Sequence, residues 1–304
     1  MSEILLDVER LTHRFRLSKK SSILALDGVS FQIRKGEVFG LVGESGCGKS
    51  TAARCVMNLY KASQGKICYR GINTCDPKQY RANRHMLQTR RQFIFQDSAS
   101  SLNPRMRVAD IITEPLSVGH IPPKRKNLRE EAEFQMGIVG LDPSYLNRYP
   151  PELSGGQRQR VAIARALCAQ PEFVVADEPV AALDVSIQAQ IINLFRHLQK
   201  EQRFTFLFIA HDLAMVEYLC DRVGVMYRGR LVEVAPVKEL FENPLHGYTR
   251  ALLSAMPVPD PRRERERKLE IYEPSGLEAG ELTEVSVDHF VWQSVEKGGG
   301  GRSC

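Results

Sequence analysis

The chain has 304 residues, of which 43% are hydrophobic, and its formal net charge is +6. This length allows one large or two modest globular domains, and the hydrophobic content excludes a chain that is disordered throughout. No apolar run reaches the roughly 18 residues that span a bilayer. The first residues also lack the basic and then apolar layout of a secretory signal. We therefore expect a cytosolic protein that reaches any membrane through a partner.

The positive charge suits a protein that binds anionic nucleotides or lies near acidic lipid headgroups. Basic residues are spread along the chain, and the densely charged run at 262–268 mixes both signs, which predicts a solvated surface and no nucleic-acid partner. The cysteines show neither C-x-x-C pairs nor zinc-ligand spacing, which predicts reduced thiols. They are Cys47, Cys55, Cys68, Cys75, Cys168, Cys220 and Cys304.

The first part of the chain predicts strands followed by a glycine loop and a helix. Residues 4–8 and 29–33 are strand-like, and the second run alternates apolar and polar residues. Residues 37–42 form a short apolar strand that leads into a glycine-rich segment, and the apolar residues after Lys49 fall at helical spacing. Strand, glycine loop and helix are the context in which a phosphate-binding loop is credible.

Residues 43–50 match the phosphate-loop pattern G-x-x-x-x-G-K-[ST]. Its glycines permit tight turns, so that backbone N–H groups can wrap phosphates at the positive end of the following helix. Lys49 is expected to reach the β- and γ-phosphates, Ser50 to ligate Mg²⁺ through its hydroxyl, and Thr51 to add a phosphate contact. The predicted ATP-binding residues of this loop are Gly43, Glu44, Ser45, Gly46, Cys47, Gly48, Lys49, Ser50 and Thr51.

In the middle of the chain the sequence pattern changes from strand-like to helical and then returns to strands that alternate with helices. Prolines separate helical segments after residue 97, which predicts an inserted helical subdomain, and a helix is predicted over 158–169 after the motif at 153–157. Parallel-strand signals then resume at 173–176, 206–210 and 224–227, with an amphipathic helix over 185–202 between the first two. Strands that alternate with helices predict a parallel α/β sheet covered on both faces.

Two carboxylates end the strand that begins at residue 173. A carboxylate at the C-terminal end of a parallel strand points into the crevice where ligands bind. Asp177 is therefore the candidate for holding Mg²⁺, through water, and Glu178 is the candidate general base that polarises the attacking water.

The phosphate loop and the Leu-Ser-Gly-Gly-Gln motif at 153–157, at this separation, resemble the ATP-binding-cassette (ABC) ATPases. In that family two chains enclose two ATP molecules between them. The resemblance implies an α/β P-loop NTPase core with an antiparallel β subdomain and an inserted α-helical subdomain. We place the core with its β subdomain at 1–96 and 160–235, the helical signature subdomain at 97–159, and a partly disordered C-terminal extension at 236–304.

The resemblance also assigns roles to residues outside the phosphate loop. Gln96 is expected to contact Mg²⁺ and water, His211 to act as a switch at the γ-phosphate, and Phe15 to stack on the adenine ring. The signature motif is expected to bind the partner chain's ATP, next to an interface loop at 181–184. Ala181 stands where the family usually has serine, which predicts weaker communication between the two sites. The residues assigned to the composite site are Ser154, Gly155, Gly156, Gln157 and Asp184.

Longer strings at 95–106, 177–190 and 243–252 resemble the ATPase subunits of oligopeptide and dipeptide importers. This branch implies a second ATPase subunit, two membrane permeases, an extracytoplasmic substrate-binding protein and a peripheral location at the cytoplasmic face of the membrane. Gly247 replaces the usual proline, and the tail has only Cys304, so we expect no iron–sulfur cluster there. Import of a related cargo such as nickel or glutathione, a soluble non-transport ATPase, and a regulatory cassette that scarcely hydrolyses ATP remain alternatives.

Overall fold

The computed structural model describes residues 3–18, 21–181, 183–256, 269–273 and 280–294. The charged run at 262–268, the glycines at 298–301, Cys304 and Ala182 lie outside them. The strands are β1 (Ile4–Arg16), β2 (Ser22–Arg34), β3 (Val38–Val42), β4 (Gln64–Tyr69), β5 (Ile72–Asn73), β6 (Arg91–Ile94), β7 (Phe173–Asp177), β8 (Thr205–Ile209), β9 (Arg222–Tyr227), β10 (Arg230–Pro236), β11 (Gly280–Ser286) and β12 (His289–Ser294). The helices are α1 (Lys49–Val56), α2 (Pro77–Ala82), α3 (Arg84–Thr89), α4 (Ser98–Ser101), α5 (Val108–Val118), α6 (Leu128–Ile138), α7 (Gly155–Cys168), α8 (Val185–Gln202), α9 (Leu213–Leu219), α10 (Val237–Glu242) and α11 (Gly247–Ser254).

The main sheet has the strand order β11-β12-β10-β9-β3-β8-β7-β6. Strands β9, β3, β8, β7 and β6 run parallel, whereas β10 pairs with β9 in the antiparallel sense. Every residue of β3, β7 and β8 is buried, because both faces of the sheet are covered, one by helices and the other by α1 together with strands β1 and β2. The order brings the C-terminal ends of β3, β8, β7 and β6 side by side along one edge.

A second sheet of antiparallel strands, in the order β2-β1-β4-β5, forms the β subdomain. Residues of β1 and β2 that share one face, among them Leu6, Val8 and Ile33, are buried, and they form one core with β3 and α1. The predicted combination of an α/β core and an antiparallel β subdomain is therefore confirmed.

The inserted segment is helical, as predicted. Helix α7 packs against α5 and α6, and their contact buries Ile111, Met136 and Val161. Helix α7 begins at Gly155 and not at residue 158, because Ser154 caps it and the two glycines adopt helical geometry. The expected helix is therefore present, and it begins three residues before the helical pattern at 158–169, directly after its N-cap Ser154.

The described part of the C-terminal extension is folded, although the sequence patterns weaken after residue 236. Helices α10 and α11 follow β10 directly, and the hairpin β11–β12 adds two strands to the main sheet through pairs such as Glu233 with Val291. Among the described residues, no helix combines the length and the apolar character that a membrane crossing requires.

Candidate active site

The glycine loop lies between the buried strand β3 and helix α1. Gly43, Gly46 and Gly48 have φ values of 143°, 80° and 109°, which a side chain rarely tolerates. A Cβ atom on Gly43 would lie 2.2 Å from the carbonyl oxygen of Met226, and one on Gly48 would lie 2.6 Å from that of Ala25. The loop is thus held so closely against its neighbours that only glycine fits at Gly43 and Gly48, whereas Gly46 is favoured by its positive φ alone.

Lys49 is buried at the centre of this loop. Its Nζ donates hydrogen bonds to the carbonyl oxygens of Gly43, at 2.7 Å, and Glu44, at 3.0 Å. The first regular helical bond of α1 runs from the N–H of Ala52 to the oxygen of Gly48. The N–H groups of the preceding turn therefore have no intrahelical acceptor, and together with the ammonium group they can bind an anion.

Ser50 joins the loop to the end of β7. Its hydroxyl donates a hydrogen bond of 2.8 Å to Asp177 Oδ1, while Asp177 Oδ2 is buried and has no partner among the described residues. Burial raises the pKa of Asp177, and the bond from Ser50 partly offsets this shift. A buried carboxylate oxygen without a partner is costly, so this pair is suited to a cation.

Glu178, Gln96 and His211 lie together at the same edge of the sheet. Gln96, just after β6, donates from Nε2 to Glu178 Oε2 at 2.8 Å, and His211 Nδ1, just after β8, lies 3.7 Å from the same oxygen. Glu178 has a φ of 44°, and its N–H donates to the oxygen of Ile209. This uncommon backbone conformation directs the chain away from β7 at the point where the candidate base stands.

The signature motif lies at the start of α7. Ser154 caps the helix: its hydroxyl accepts from the N–H of Gln157 at 3.3 Å, and Gln157 Oε1 accepts from the N–H of Ser154 at 2.9 Å. A Cβ on Gly156 would lie 2.7 Å from Ile187 Cγ2, so that glycine permits close packing against α8 within the chain. Asp184 is the exposed N-cap residue of α8. Within the described residues, no hydrogen bond joins the motif to the phosphate loop.

Phe15 lies half-buried at the end of β1. Its ring centroid is 4.6 Å from that of His13 and 5.5 Å from that of Tyr60, with edge-to-face geometry in both pairs. The ring is thus supported by other aromatic groups, and its contact with an adenine stays a prediction.

Two C-terminal features near the loop were missed by the sequence reasoning. The N–H of Glu44 donates to the hydroxyl of Tyr248 in α11 at 3.1 Å, across more than two hundred residues of sequence. Glu233 of β10 is fully buried and accepts hydrogen bonds from the N–H groups of Leu245 and His246. A lone glutamate within an otherwise apolar strand was the available signal for the second feature.

Comparison with known proteins agrees with this geometry. Residues 26–181 match the ABC transporter family, and residues 232–281 match the C-terminal region of oligopeptide/dipeptide transporters. The chain is 50% identical over 298 residues to the oligopeptide transport ATP-binding protein OppF of Bacillus subtilis, covering 96% of each chain. It is 45% identical over 297 residues to OppF of Streptococcus mutans, again covering 96% of each chain.

Solved structures are similar in fold and sequence. The dimeric, post-hydrolysis structure of the ATP-binding cassette MJ0796 with ADP and Pi matches with a TM-score of 0.68 and 27% identity, covering 76% of this chain and 98% of that chain. CbiO1 from Clostridium perfringens matches with a TM-score of 0.67 and 27% identity, covering 80% and 92%. The chain belongs to the ABC transporter ATPases, among the oligopeptide transport ATP-binding proteins.

Proposed function

We propose that this chain hydrolyses Mg²⁺-ATP in a composite dimer and thereby drives peptide uptake through two permeases, from a peripheral position at the cytoplasmic face of the membrane. The observation that supports this most directly is the Gln96–Glu178 hydrogen bond of 2.8 Å. It joins the candidate base to the residue that precedes the helical subdomain, so a change at the reacting phosphate can be passed to that subdomain.

The residues around Asp177 fit a magnesium ion. Carboxylate and hydroxyl oxygens are the hard ligands that Mg²⁺ prefers, and Asp177 Oδ2 lacks a partner beside the hydroxyl of Ser50. Ser50, Asp177 and Gln96 would hold the ion, directly or through water. When bound, Mg²⁺ supplies positive charge that neutralises the phosphate oxygens.

The remaining chemistry belongs to side chains of this protein. A water oxygen attacks the γ-phosphorus and the bond to the β,γ-bridging oxygen breaks, while Glu178 accepts the proton of that water. Lys49 exchanges its bonds to the loop carbonyls for phosphate oxygens and offsets their charge. His211 is 58% exposed in the side chain, so it has room to move towards the γ-phosphate from its place near Glu178.

A second copy or a paralogue supplies the other half of each site. The N-terminus of α7 is capped by the exposed Ser154, and within the described part of the chain it makes no hydrogen bond to its own phosphate loop. The exposed Asp184 and Val185, the latter 81% exposed, mark the adjoining surface that a partner would cover. The cassette structure to which this chain is similar is dimeric, which supports pairing with a second ATPase subunit.

A groove of 1190 Å³ between the core and the helical subdomain is suited to a permease segment. Gln96 lies in the wall of the groove, and the apolar side chains of Leu59, Phe95 and Val118 are exposed along it. His85 bridges it at one end, with Nε2 2.8 Å from the oxygen of Gly119. A groove that adjoins Gln96 and spans both subdomains can transmit their relative movement. The names of the relatives and the C-terminal family match support peptides as the cargo.

The test is to purify tagged Glu178→Gln protein from its native membranes with Mg²⁺-ATP and identify the proteins that accompany it. We expect two permeases and a second ATPase subunit, with less of the second subunit when Lys49→Ala protein is used, since that control cannot hold the phosphates. Recovery of soluble partners alone would favour the non-transport ATPase.

Cargo is tested by uptake in cells that carry only the wild-type chain or only Glu178→Gln. We expect the variant to abolish uptake of a labelled oligopeptide and to leave uptake of nickel and glutathione unchanged. Loss of nickel or glutathione uptake instead would overturn the peptide assignment.

A further inference from the structure

We infer that Tyr248 is a positioning residue for ATP binding, and that the C-terminal motif at 243–252 serves to hold its hydroxyl against the phosphate loop. The inference rests on ATP binding by that loop. Tyr248 is 3% exposed, and its hydroxyl accepts the N–H of Glu44 at 3.1 Å.

The sheet brings these two distant residues together. Strand β9 lies beside β3 with Val225 opposite Val42, so the residues that follow each strand are neighbours as well. Tyr227 ends β9, and its ring centroid is 4.4 Å from that of Tyr248. The aromatic contact therefore places Tyr248 next to the second residue of the loop.

Glu233 anchors the motif from the other side. It accepts the N–H groups of Leu245, at 2.8 Å, and His246, at 3.0 Å, and so fixes the turn that precedes α11. His246 Nδ1 then accepts the N–H of Tyr248 at 3.1 Å and caps the helix, and Arg250 Nη1 donates to the oxygen of Leu245 at 2.7 Å. These four hydrogen bonds all orient the start of the helix that carries Tyr248.

The bond to Tyr248 differs in kind from the other bonds of Glu44. The carbonyl oxygen of Glu44 accepts from Lys49 Nζ, which must release it to bind a phosphate. Tyr248 binds the N–H of the same residue, so the release of the carbonyl oxygen by Lys49 leaves this bond in place. We therefore expect it to hold the loop open both before and during ATP binding. Without it, the loop has more conformations available, and the apparent affinity falls in proportion to the fraction that can bind.

The experiment compares Tyr248→Phe with Tyr227→Phe in the full-length chain. Both changes remove one hydroxyl and keep the ring, but within the described residues only the Tyr248 hydroxyl bonds to the loop. We expect Tyr248→Phe to raise the Kd for Mg²⁺-AMP-PNP and the KM for ATP about threefold to tenfold, the value of one lost hydrogen bond. The kcat should stay at the wild-type value, and the thermal midpoint should fall by no more than this one bond is worth, whereas Tyr227→Phe should change none of these quantities.

Hydrogen exchange supplies a readout that a purely structural role would not change. The amide of Glu44 should exchange faster in Tyr248→Phe and at the wild-type rate in Tyr227→Phe. An unchanged Kd in Tyr248→Phe, or an equal rise in both variants, would overturn the inference. A wild-type chain that does not bind AMP-PNP would overturn ATP binding itself, and the inference with it.

Discussion

Replacement of Glu233 by glutamine should destabilise the C-terminal segment strongly. The carboxylate is fully buried: Oε1 accepts from the N–H of Leu245 at 2.8 Å and lies 2.7 Å from His289 Nε2, while Oε2 accepts from the N–H of His246 at 3.0 Å. An amide has a single oxygen, so its NH₂ group must face at least one of these donors. At least one buried N–H loses its acceptor, and the bonds that remain lose their assistance from charge.

The size of the effect follows from these contacts. One lost hydrogen bond to a charged group costs about 1.5–3 kcal/mol, and a weakened neighbour adds up to about 1 kcal/mol. We therefore expect opening of this segment to become easier by about 2–4 kcal/mol, which corresponds to protection from hydrogen exchange that is about 30-fold to 1000-fold lower. The measurement is exchange, followed by mass spectrometry, of a peptide that contains residues 243–250.

The matched control is Glu239→Gln. The Glu239 side chain is 42% exposed and its Oε1 lies 3.8 Å from His289 Nδ1, too far for a hydrogen bond. Its replacement should change protection by less than about threefold, as for a surface change worth under about 0.5 kcal/mol. Equal exchange in wild type and Glu233→Gln, or equal loss in both variants, would refute the reasoning.

Three further predictions concern the site and its supports. Glu178→Gln should lower the ATPase rate about 100-fold to 10,000-fold while Mg²⁺-ATP binding is retained, since it removes the proton acceptor; a rate equal to wild type in a phosphate-release assay would exclude Glu178 as the base. Gly156→Ala should lower the free energy of unfolding by about 1–3 kcal/mol, because its Cβ would lie 2.7 Å from Ile187 Cγ2. Gly155→Ala, at 3.5 Å from its nearest neighbour, should be tolerated in the same denaturation experiment. Burial lowers the pKa of His246 from its ordinary value of 6.5. The contribution of His246 to stability should therefore be complete above pH 6.5 and should be lost as the pH falls from 6.5 towards the lowered pKa. His246→Asn, which keeps a capping oxygen, should remove this part of the pH dependence of the thermal midpoint.

The core of the active site could be predicted because its signals are local. Strand, glycine loop and helix follow one another in sequence, so the residues at 43–51 reveal both the structure and its chemistry. Asp177 and Gln96 were found separately, each at the end of an apolar strand. Parallel strands end at the same edge of a sheet, so these two residues could be expected to lie close together. The observed strand order β3-β8-β7-β6 agrees with this expectation.

The C-terminal segment could not be predicted in the same way. In the strand Arg230–Pro236, the residues on both sides of Glu233 are apolar and buried, so the sequence indicates a glutamate in a buried strand. It does not indicate the partners of that glutamate, because they come from residues 245, 246 and 289. The hairpin β11–β12 follows described helices after a long interval, so nothing local indicates that it joins the main sheet. Its signal was the run of strand formers at 289–293 after a turn at Asp288, whose φ is 61°.

Contacts that take part in the reaction and contacts that hold the phosphate loop come from different parts of the chain. The side chains expected to contact phosphate, water or metal belong to the cassette, and sequence motifs identify them. The phosphate loop is also held by Tyr248 in the C-terminal extension and, through it, by Glu233 at the end of the core in β10. Because Tyr248 acts on the population of the binding-competent loop, a substitution there should alter the affinity for ATP more than the rate of its hydrolysis.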